Sequence, residues 1–318
     1  MPAREWSPEQ PVGERLATAL IRSQFPELAG APLRAMAAGW DNAVFSVGTT
    51  GGTGGGPWVF RFPQRGVAIA GIEREIALLP EIAPALPLPV PVPRWVGRPD
   101  PRLGYPWPFF GSPLIVGSEV AELSLDDAAR GALAEPLARF LRALHDPRLA
   151  ARLSARLPVD PNRRADAPHR AAIAGRWLDD LAASGHWAVP QSVRRVLARA
   201  TSLAPVPPTT VVHGDLHVRH VLLGSSGEPA GVIDWGDMGF ADPSVDLALV
   251  WFLLPPAARR RFWDGYGPVS DAQLLRARIL ALGLSAALAV YARDEGLDAL
   301  LREALGGLER TMADPGRG

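Results

Sequence analysis

Two apolar segments that enclose a polar loop constrain this chain more than any other feature. The stretch TTVVHGDLHVRHVLL (209–223) carries valines at Val211 and Val212, then a polar interval, then the apolar run Val221–Leu223. A second apolar segment, GVID, ends at Asp234. Apolar flanks hold a polar loop rigidly, as positioned chemistry requires. The pattern predicts short strands that present polar side chains at fixed places.

Two carboxylates in this region are candidates for phosphoryl-transfer chemistry. Asp215 is suited to accept, or only to orient, the proton of an attacking hydroxyl, which leaves late in a loose transition state. Asp234 is suited to bind metal ions that neutralise phosphates, because magnesium prefers oxygen ligands. A lone loop aspartate is usually a turn residue. Two at this spacing, one of them preceded by His-Gly, favour the chemical interpretation.

The histidines of the loop allow a different interpretation, a zinc hydrolase. His213, His217 and His220 form a cluster with the residue types of a metal site. Zinc hydrolases usually place two histidines one helical turn apart with a glutamate as base. Gly214 and the β-type flanks argue against a helix here, and no glutamate lies within the cluster. We therefore expect His213 to be structural.

Composition excludes several classes of protein. The 318 residues favour two domains, and 33 basic residues balance 33 acidic residues, so no basic surface points to a nucleic-acid partner. The absence of cysteine excludes disulfides and thiolate chemistry. No uninterrupted apolar run reaches about 18–20 residues, so no membrane partner is expected. Without a signal-peptide pattern the expected location is cytoplasmic. The oligomeric state is left open.

The first part of the chain reads as a small antiparallel sheet with one or two helices. The patterns predict helices at 8–28 and 67–83, and strands at Leu33–Ala38, Gly39–Gly48, Trp58–Pro63, Arg94–Gly97 and Ser112–Val116. The proline-rich stretch Pro84–Trp95 must be extended. Thr49–Gly56 is glycine-rich, but no G-K-[ST] follows it, so we interpret it as a mobile hairpin tip rather than a phosphate loop.

The remainder of the chain is mainly helical. A long helix is predicted over Ser124–Asp146, with Ser124 as N-cap and a kink or break at Pro136. Further helices are predicted at 168–184, at 190–203 and through most of 243–313. A boundary near Val116–Glu119 gives two domains, 1–116 and 117–318. The predicted fold class is α+β.

The central motifs also resemble those of a known family. The pattern H-G-D-L-H-x-x-[N/H]-x-L followed by I-D-[W/F]-x-[D/E] is similar to that of the aminoglycoside phosphotransferase family, which also holds macrolide phosphotransferases and choline-kinase-like enzymes. Other segments resemble the family too: GWDNAVFSVG, WVFRFP with IEREI, ARFLRALHD and ADPSVDLALV. The resemblance implies a bilobal protein-kinase-like fold, with an N-terminal antiparallel-sheet lobe, a mainly helical C-terminal lobe and the nucleotide in the interlobe cleft.

The resemblance assigns roles to the motif residues. Asp215 takes the position of the catalytic aspartate, and Asp234 that of the main Mg²⁺ ligand. His220 stands where asparagine, the second metal ligand, is usual. Imidazole suits magnesium less well than an amide oxygen does. Histidine at this position resembles the aminoglycoside 2''- and macrolide phosphotransferases, several of which favour GTP, so the donor is expected to be ATP or GTP.

The resemblance also implies a nucleotide-binding set in the first domain. The chain contains no lysine, and Arg61 stands where the family has its strand lysine. An arginine fork can still reach phosphate oxygens. Glu75 is the expected partner, with Glu73 in reserve, and the alternative is that Arg61 is a surface strand residue. The backbone of a hinge containing Ile115, Val116 and Gly117 is expected to meet the purine.

The acceptor is less constrained. Asp237, Asp264 and Tyr266 are candidate substrate contacts, and polycationic aminoglycosides need several carboxylates. The segment 247–258 has no acid, and the neighbouring tryptophans suit a more apolar acceptor. The expected activity is Mg²⁺-dependent transfer of the γ-phosphate of ATP or GTP to a hydroxyl of an aminoglycoside or a macrolide. The alternatives are a metabolic kinase for an amino alcohol or sugar, and a nucleotide-binding pseudokinase.

Overall fold

The protein is described here from a computed structural model, which covers residues 8–36, 41–48 and 57–313. The chain divides into two compact units. The first unit contains Met1–Pro84, Pro89–Ile115 and the short segment Asp234–Gly236, and the second contains Ala85–Leu88, Val116–Ile233 and Asp237–Gly318. The predicted boundary placed Asp234–Gly236 in the second domain, whereas this segment belongs to the first unit.

The first unit is built on a five-stranded antiparallel sheet with the order β1-β2-β3-β5-β4. Its strands are β1 (Leu33–Ala35), β2 (Asn42–Val47), β3 (Trp58–Pro63), β4 (Trp95–Gly97) and β5 (Phe109–Pro113). Ala43, Phe45 and Val47 of β2 are buried in alternation, as expected for a strand with one face on the core. The last strand begins three residues earlier than the alternation at Ser112–Val116 predicted.

Aromatic side chains fill the core of the first unit. Phe62 and Phe109 stack with ring centroids 4.6 Å apart, and both are fully buried. A Cβ atom on Gly97 would lie 2.1 Å from the ring of Phe109, and one on Gly111 would lie 2.6 Å from the ring of Phe60. Glycine is therefore required at both positions, because the rings occupy the space above the strands.

Two helices complete the first unit. They are α1 (Glu14–Gln24) and α2 (Ile69–Ile82), which a 3-10 turn at Gly66–Ala68 precedes. The helix predicted at 8–28 is shorter than expected, because Phe25 leaves the helical conformation and Pro26–Leu28 form a separate 3-10 turn. α1 directs Leu20 and Ile21 into the core.

The second unit is mainly helical, with short strands between the helices. Its helices are α3 (Asp127–Ala132), α4 (Ala134–Leu144), α5 (Pro147–Leu153), α6 (Ala167–Ala183), α7 (Gln191–Ala198), α8 (Ser244–Leu253), α9 (Pro256–Tyr266), α10 (Asp271–Glu295) and α11 (Asp298–Met312). Its strands are β6 (Ser118–Glu119), β7 (Thr210–Val212), β8 (Val221–Leu223), β9 (Pro229–Val232) and β10 (Gly239–Ala241), in the sheets β6-β8-β9 and β10-β7. The predicted α+β class, with an antiparallel-sheet part and a mainly helical part, is confirmed.

The helix predicted over Ser124–Asp146 is two helices, and its predicted N-cap was wrong. Asp126 caps α3, since its carboxylate accepts a hydrogen bond from the backbone N–H of Ala129 at 2.7 Å. The chain breaks at Leu133 and not at Pro136. Pro136 lies in the first turn of α4, where backbone N–H groups have no intrahelical partner, so a proline is tolerated.

α10 is the long apolar helix of the second unit. By length and composition alone it could cross a membrane, with a mean hydropathy of 1.6 over 18 residues. Within the protein 61% of that window is buried, and α10 packs against α6, α8 and α11. Arg276 and Arg278 interrupt its apolar residues, so α10 contains no uninterrupted apolar run long enough to predict a membrane span. Burial in the core of the unit accounts for its apolar composition.

Candidate active site

The polar loop between β7 and β8 is the centre of the candidate site. Val211 and Val221, in the strands at its two ends, are completely buried. Gly214 has φ 88°, and a Cβ atom there would lie 2.1 Å from the carbonyl oxygen of Asp237. Only glycine can occupy this position, because other residues would be strained and would clash. The turn thus brings the backbone of Asp237 against the start of the loop.

A buried carboxylate in α8 holds the loop in place. Asp246 has no exposed surface, and its oxygens accept hydrogen bonds from the backbone N–H groups of His213 at 2.8 Å and Gly214 at 3.0 Å. Asp246 lies in a segment that resembles the family, but no role was predicted for this residue. The available signal was an acid inside the otherwise apolar stretch VDLALVWFLL, because buried acids need partners.

Asp246 also joins a hydrogen-bonded chain that contains a predicted substrate residue. His145 Nε2 lies 3.1 Å from Asp246 Oδ2, and His145 Nδ1 lies 2.7 Å from the Tyr266 hydroxyl. A carboxylate only accepts, so Nε2 carries the proton and Nδ1 accepts from Tyr266. Burial raises the pKa of Tyr266. The Tyr266 hydroxyl is hydrogen-bonded to His145 within the fold. A contact between Tyr266 and substrate stays a prediction.

His213 has both ring nitrogens engaged. Its Nε2 donates to the carbonyl of Ile233 at 2.9 Å, and its Nδ1 accepts the backbone N–H of Asp215 at 3.2 Å. Burial lowers the pKa of this imidazole, which keeps it neutral. These contacts give His213 the structural role that the sequence analysis favoured.

His217 and His220 stack against each other with ring centroids 3.9 Å apart. His217 Nδ1 accepts the backbone N–H of Arg219 at 3.3 Å, so its proton is on Nε2, which lies 3.5 Å from Asp215 Oδ2. His220 Nδ1 lies 2.7 Å from the carbonyl oxygen of Asp215 and donates to it. In a neutral His220 the lone pair is then on Nε2, the nitrogen that could meet a metal or a phosphate.

Asp215 is held by positive and hydrogen-bonding groups. Arg164 Nη2 lies 2.8 Å from Asp215 Oδ1, and the Asp215 side chain is 26% exposed. Burial by itself would raise the pKa of Asp215, but the Arg164 guanidinium, with His217 and His220, holds it well below its usual range. The carboxylate is therefore ionised and can accept a hydrogen bond from a hydroxyl.

Arg164 connects Asp215 to the predicted substrate residue Asp237. The same Nη2 atom lies 2.6 Å from Asp237 Oδ2. Burial lowers the pKa of Arg164, but the two carboxylates outweigh it and raise the pKa above its ordinary value. Arg164 was not predicted as a site residue, because it lies in an irregular segment between α5 and α6 where no periodicity or motif marks it.

A second arginine-centred cluster lies in the first unit. Arg61 of β3 donates to both oxygens of Glu75 at 3.0 and 2.7 Å and to Asp234 Oδ1 at 2.8 Å. Burial lowers the pKa of Arg61, but Glu75 and Asp234 outweigh it and raise the pKa. Glu75 of α2 is fully buried whereas Glu73 is exposed, so Glu75 is the partner. Arg61 therefore contacts both Glu75 and Asp234, and all three were predicted to be site residues.

Burial raises the pKa of Glu75 to about 7, although Arg61 and a hydrogen bond from the backbone of Trp235 oppose the rise. The neighbouring Asp234 has φ 64°, a left-handed conformation that strains a residue with a side chain. A Cβ atom on Gly71 of α2 would lie 3.0 Å from the carbonyl of Gly236. This close approach carries the Asp234–Gly236 segment onto the first unit.

Groups of the kinds that bind divalent cations occur in both units. In the second unit, ligand atoms of Asp215, His217 and His220 all lie within 4.8 Å of one another. Because the Nε2 of His217 carries a proton, Asp215 and His220 are the candidates there. Asp234 has a carboxylate that is 47% exposed. Carboxylate oxygens suit magnesium, whereas the imidazoles suit softer metals. The histidines lie in turns and not on a helix, which argues against the zinc-hydrolase alternative.

The remaining predicted residues are placed as follows. Ile115 ends the first unit and Val116 is 76% exposed. A Cβ atom on Gly117 would lie 2.8 Å from the carbonyl of Leu223, so glycine is needed where the chain approaches β8. Asp264 is exposed on α9, where its carboxylate lies 3.9 Å from Arg260 Nε. It is therefore not among the described groups that contact Asp215. The interval Thr49–Gly56, which was predicted to be a hairpin tip, lies outside the described residues.

Comparisons with known proteins agree on the fold. The aminoglycoside 3'-phosphotransferase of Escherichia coli is 32% identical over 152 residues, which cover 46% of this chain; the chain spans about half, 53%, of that relative. The GDP complex of aminoglycoside 2'-phosphotransferase-IIIa superposes with a TM-score of 0.66 at 22% identity, covering 94% of this chain and 98% of that chain.

The macrolide 2'-phosphotransferase MphH from Brachybacterium faecium superposes with a TM-score of 0.58 at 23% identity, covering 93% of this chain and 98% of that chain. The predicted fold is therefore confirmed. The sequence also matches the profile of the phosphotransferase enzyme family over residues 32–280, which is most of the chain. The chain belongs to the phosphotransferase enzyme family, as its motifs predicted.

Proposed function

We propose that this protein transfers the γ-phosphate of ATP or GTP to a hydroxyl of an antibiotic-like small molecule, an aminoglycoside or a macrolide, with Mg²⁺ as cofactor. One observation carries the proposal: Asp215 is held ionised, by Arg164 and His217, in a loop that Asp246 anchors. Phosphoryl transfer depends mainly on positioning and charge neutralisation, which such a loop supplies. A cytoplasmic location, expected from the sequence, is part of the proposal.

Asp215 orients the acceptor in this proposal. Its carboxylate accepts a hydrogen bond from the acceptor hydroxyl and directs the oxygen toward the γ-phosphorus. The new oxygen–phosphorus bond forms as the bond to the β–γ bridging oxygen breaks, and the hydroxyl proton passes toward Asp215. Because the pKa of Asp215 is held low, it is a weak base, so the proton moves late in the step.

The cation would be held by Asp234, with His220 as the second proposed ligand. When bound, Mg²⁺ neutralises charge on the phosphate oxygens. Asp234 supplies the oxygen that magnesium prefers. Donation from Nδ1 to the Asp215 carbonyl orients the His220 ring and directs its lone pair to Nε2. His220 can therefore act on the metal directly or through a water, or on a phosphate if it is protonated.

The nucleotide contacts are proposed for the first unit and the segment that follows it. Arg61 takes the place of a phosphate-binding lysine, and Glu75 fixes its orientation through two hydrogen bonds. The backbone of Ile115, Val116 and Gly117 would meet the purine. The GDP bound in the complex of aminoglycoside 2'-phosphotransferase-IIIa, which shares this fold, supports a nucleotide donor.

A metabolic kinase for an amino alcohol or sugar is the second candidate. Arg164 compensates Asp215 and Asp237, which favours an acceptor less cationic than an aminoglycoside. A pseudokinase is disfavoured, because the carboxylates of Asp215 and Asp234 are both present.

The test is a screen of acceptors that follows nucleotide consumption and phosphorylated product with ATP or GTP, with and without Mg²⁺. Aminoglycosides, macrolides, amino alcohols and sugars form the panel. We expect Mg²⁺-dependent consumption with at least one acceptor, and consumption slower by about 10³-fold with Asp215→Asn. Failure to bind either nucleotide, measured by thermal shift with Mg²⁺, would rule the proposal out.

A further inference from the structure

The segment that carries Arg164 is an irregular strap, residues 158–166, between α5 and α6. It is fastened to β10 by two backbone hydrogen bonds, from Phe240 N–H to the Pro158 carbonyl at 2.9 Å and from Asp160 N–H to the Phe240 carbonyl at 3.1 Å. The strap therefore has a fixed position beside the strand that follows Asp237.

Asp160 fixes the part of the strap that leads into Arg164. Its carboxylate oxygens accept the backbone N–H groups of Arg164 at 2.7 Å and Ala165 at 2.9 Å. Asp160 and Arg163 have φ 34° and 50°, in the left-handed region. Non-glycine residues remain in such conformations only where surrounding contacts impose them. The strap is thus built to hold Arg164 in one place, rather than to release it.

Arg164 cancels charge that would otherwise face the acceptor. One nitrogen lies 2.8 Å from Asp215 and 2.6 Å from Asp237, and the Arg164 side chain is only 12% exposed. Arg170 of α6 adds a second guanidinium that interacts with the same carboxylates; burial, with the charge of Arg164, lowers its pKa to about 10. Both remain cations at neutral pH, so the pair of carboxylates does not present two uncompensated charges.

Arg164 and Asp237 also line one cavity with Asp160 and Asn162 of the strap and with Gly214 of the loop. The cavity has a volume of only about 10 Å³, room for about one water molecule. The side chains of Asp215 and Asp237 are 26% and 38% exposed, so a molecule that brings a hydroxyl to Asp215 meets the Arg164 guanidinium together with both carboxylates. An ammonium group there would replace or oppose a cation that is already in place, whereas a neutral group would not.

We propose that Arg164 is a specificity-determining residue that disfavours polycationic acceptors and admits neutral or singly charged ones. This inference rests on the proposed function, since it concerns the acceptor of the same Asp215. Replacing Arg164 by a neutral residue uncovers one carboxylate charge, which attracts a polycation more than a singly charged molecule.

The test compares binding of two acceptors to the full-length chain by calorimetry at low salt. Kanamycin is the polycationic probe and erythromycin, with one amine, is the other. In Arg164→Gln we expect kanamycin to bind about tenfold more tightly, which corresponds to about 1.4 kcal/mol, and erythromycin to change less than twofold. Higher salt should reduce the kanamycin gain.

Arg163→Gln is the matched control. Arg163 is adjacent and carries the same charge, but its side chain is 63% exposed and pairs with Asp166. We expect its acceptor preference to equal that of the wild type. Arg164→Met, of similar length and without charge, replaces Arg164→Gln if that variant does not fold.

Three results would overturn the inference. They are unchanged or weaker kanamycin binding in the neutral Arg164 variant, an equal gain for both probes, and no binding of kanamycin by any variant. These binding measurements involve no phosphoryl transfer, so they can fail while an acceptor is still phosphorylated. Conversely, absence of nucleotide consumption with every acceptor contradicts the proposed function and leaves the binding comparison intact.

Discussion

In each unit of the protein an arginine of the candidate site bridges two carboxylates, and the two bridges are built differently. In the first unit, Arg61 of β3 joins Glu75 of α2 to Asp234. In the second unit, Arg164 of the strap joins Asp215 to Asp237. Arg61 uses separate nitrogens for its two partners, whereas Arg164 contacts both with a single nitrogen. A regular strand therefore positions the bridging arginine in the first unit, and an irregular segment positions it in the second.

The difference shows two ways of fixing a guanidinium. Arg61 lies in a strand paired on both sides, opposite Val44 and Phe110, so the sheet determines its position. Arg164 depends on local hydrogen bonds to Asp160 and on left-handed backbone conformations. The sheet position rests on backbone hydrogen bonds alone, whereas the strap position rests on the side chain of Asp160. We therefore expect substitutions in the two clusters to have different consequences.

The largest expected effect is the loss of turnover in Asp215→Asn. An amide cannot accept the hydroxyl proton or balance Arg164, so we expect kcat to fall about 10³-fold. Steady-state kinetics with the best acceptor measures this, with Asp179→Asn as control, because Asp179 is exposed and pairs with Arg194. Turnover within tenfold of the wild type would show that Asp215 is not the orienting residue.

The second effect concerns the anchor of the Asp215 loop. Asp246→Asn leaves one oxygen to serve two backbone N–H donors and His145, so we expect the free energy of unfolding to fall by about 3 kcal/mol. Urea unfolding measures the change. Asp180→Asn, at an exposed ion pair with Arg293, should change it by less than about 0.5 kcal/mol. Equal losses would mean that Asp246 does not support the loop.

Arg61→Lys tests whether the fork of the first cluster matters. A lysine ammonium keeps the charge but cannot span Glu75 and Asp234 in the same way, so we expect a loss of about 1–2 kcal/mol in stability. The matched substitution is Arg65→Lys, because the Arg65 guanidinium pairs with Asp41 at 2.6 Å and, within the described residues, joins no second carboxylate. Thermal and urea unfolding measure the loss of stability in each variant. Similar losses in both would contradict a specific requirement for the arginine fork at position 61.

Glu75 should make stability depend on pH. Its pKa of about 7 in the folded protein exceeds the ordinary value of 4.5, so the folded state keeps a proton that the unfolded chain has lost. The contribution of Glu75 to stability therefore falls as pH rises from about 4.5 to about 7. Glu75→Gln should flatten the pH profile of unfolding over this range. Glu73→Gln, on the exposed face of α2, should leave it unchanged; an unaltered slope in Glu75→Gln contradicts the assignment.

The smallest effect is expected next to the second bridge. Arg163→Ala removes an exposed ion pair and should change the free energy of unfolding by less than about 0.5 kcal/mol. Arg164→Ala leaves two carboxylates without their cation and should cost about 2–3 kcal/mol. Urea unfolding of the two variants measures both changes. Equal losses of unfolding free energy would show that the contacts of Arg164 stabilise the protein no more than those of an exposed arginine.

Periodicity and motif identified the elements with regular patterns. Alternation located β3 at Trp58–Pro63 as observed, and Arg61 and Glu75 could be paired because each lies at a motif position in a regular element. Helix boundaries were less accurate around Ser124–Asp146, where the capping carboxylate of Asp126 and the break at Leu133 depend on local contacts. Pro136 lies in the first turn of α4, so it marks the start of a new helix rather than the residue at which the chain breaks.

The sequence by itself determined the family, the fold class and the loop that contains Asp215, because apolar runs, a required glycine and charged motif positions are local properties. Only the tertiary structure decided that Arg164 meets Asp237, 73 residues away in sequence, and that Asp246 holds the loop. Neither contact has a local pattern, since each arises where separate elements pack. The Asp215 loop can therefore be predicted from the sequence, whereas the guanidinium that balances its charge is identified only from the fold.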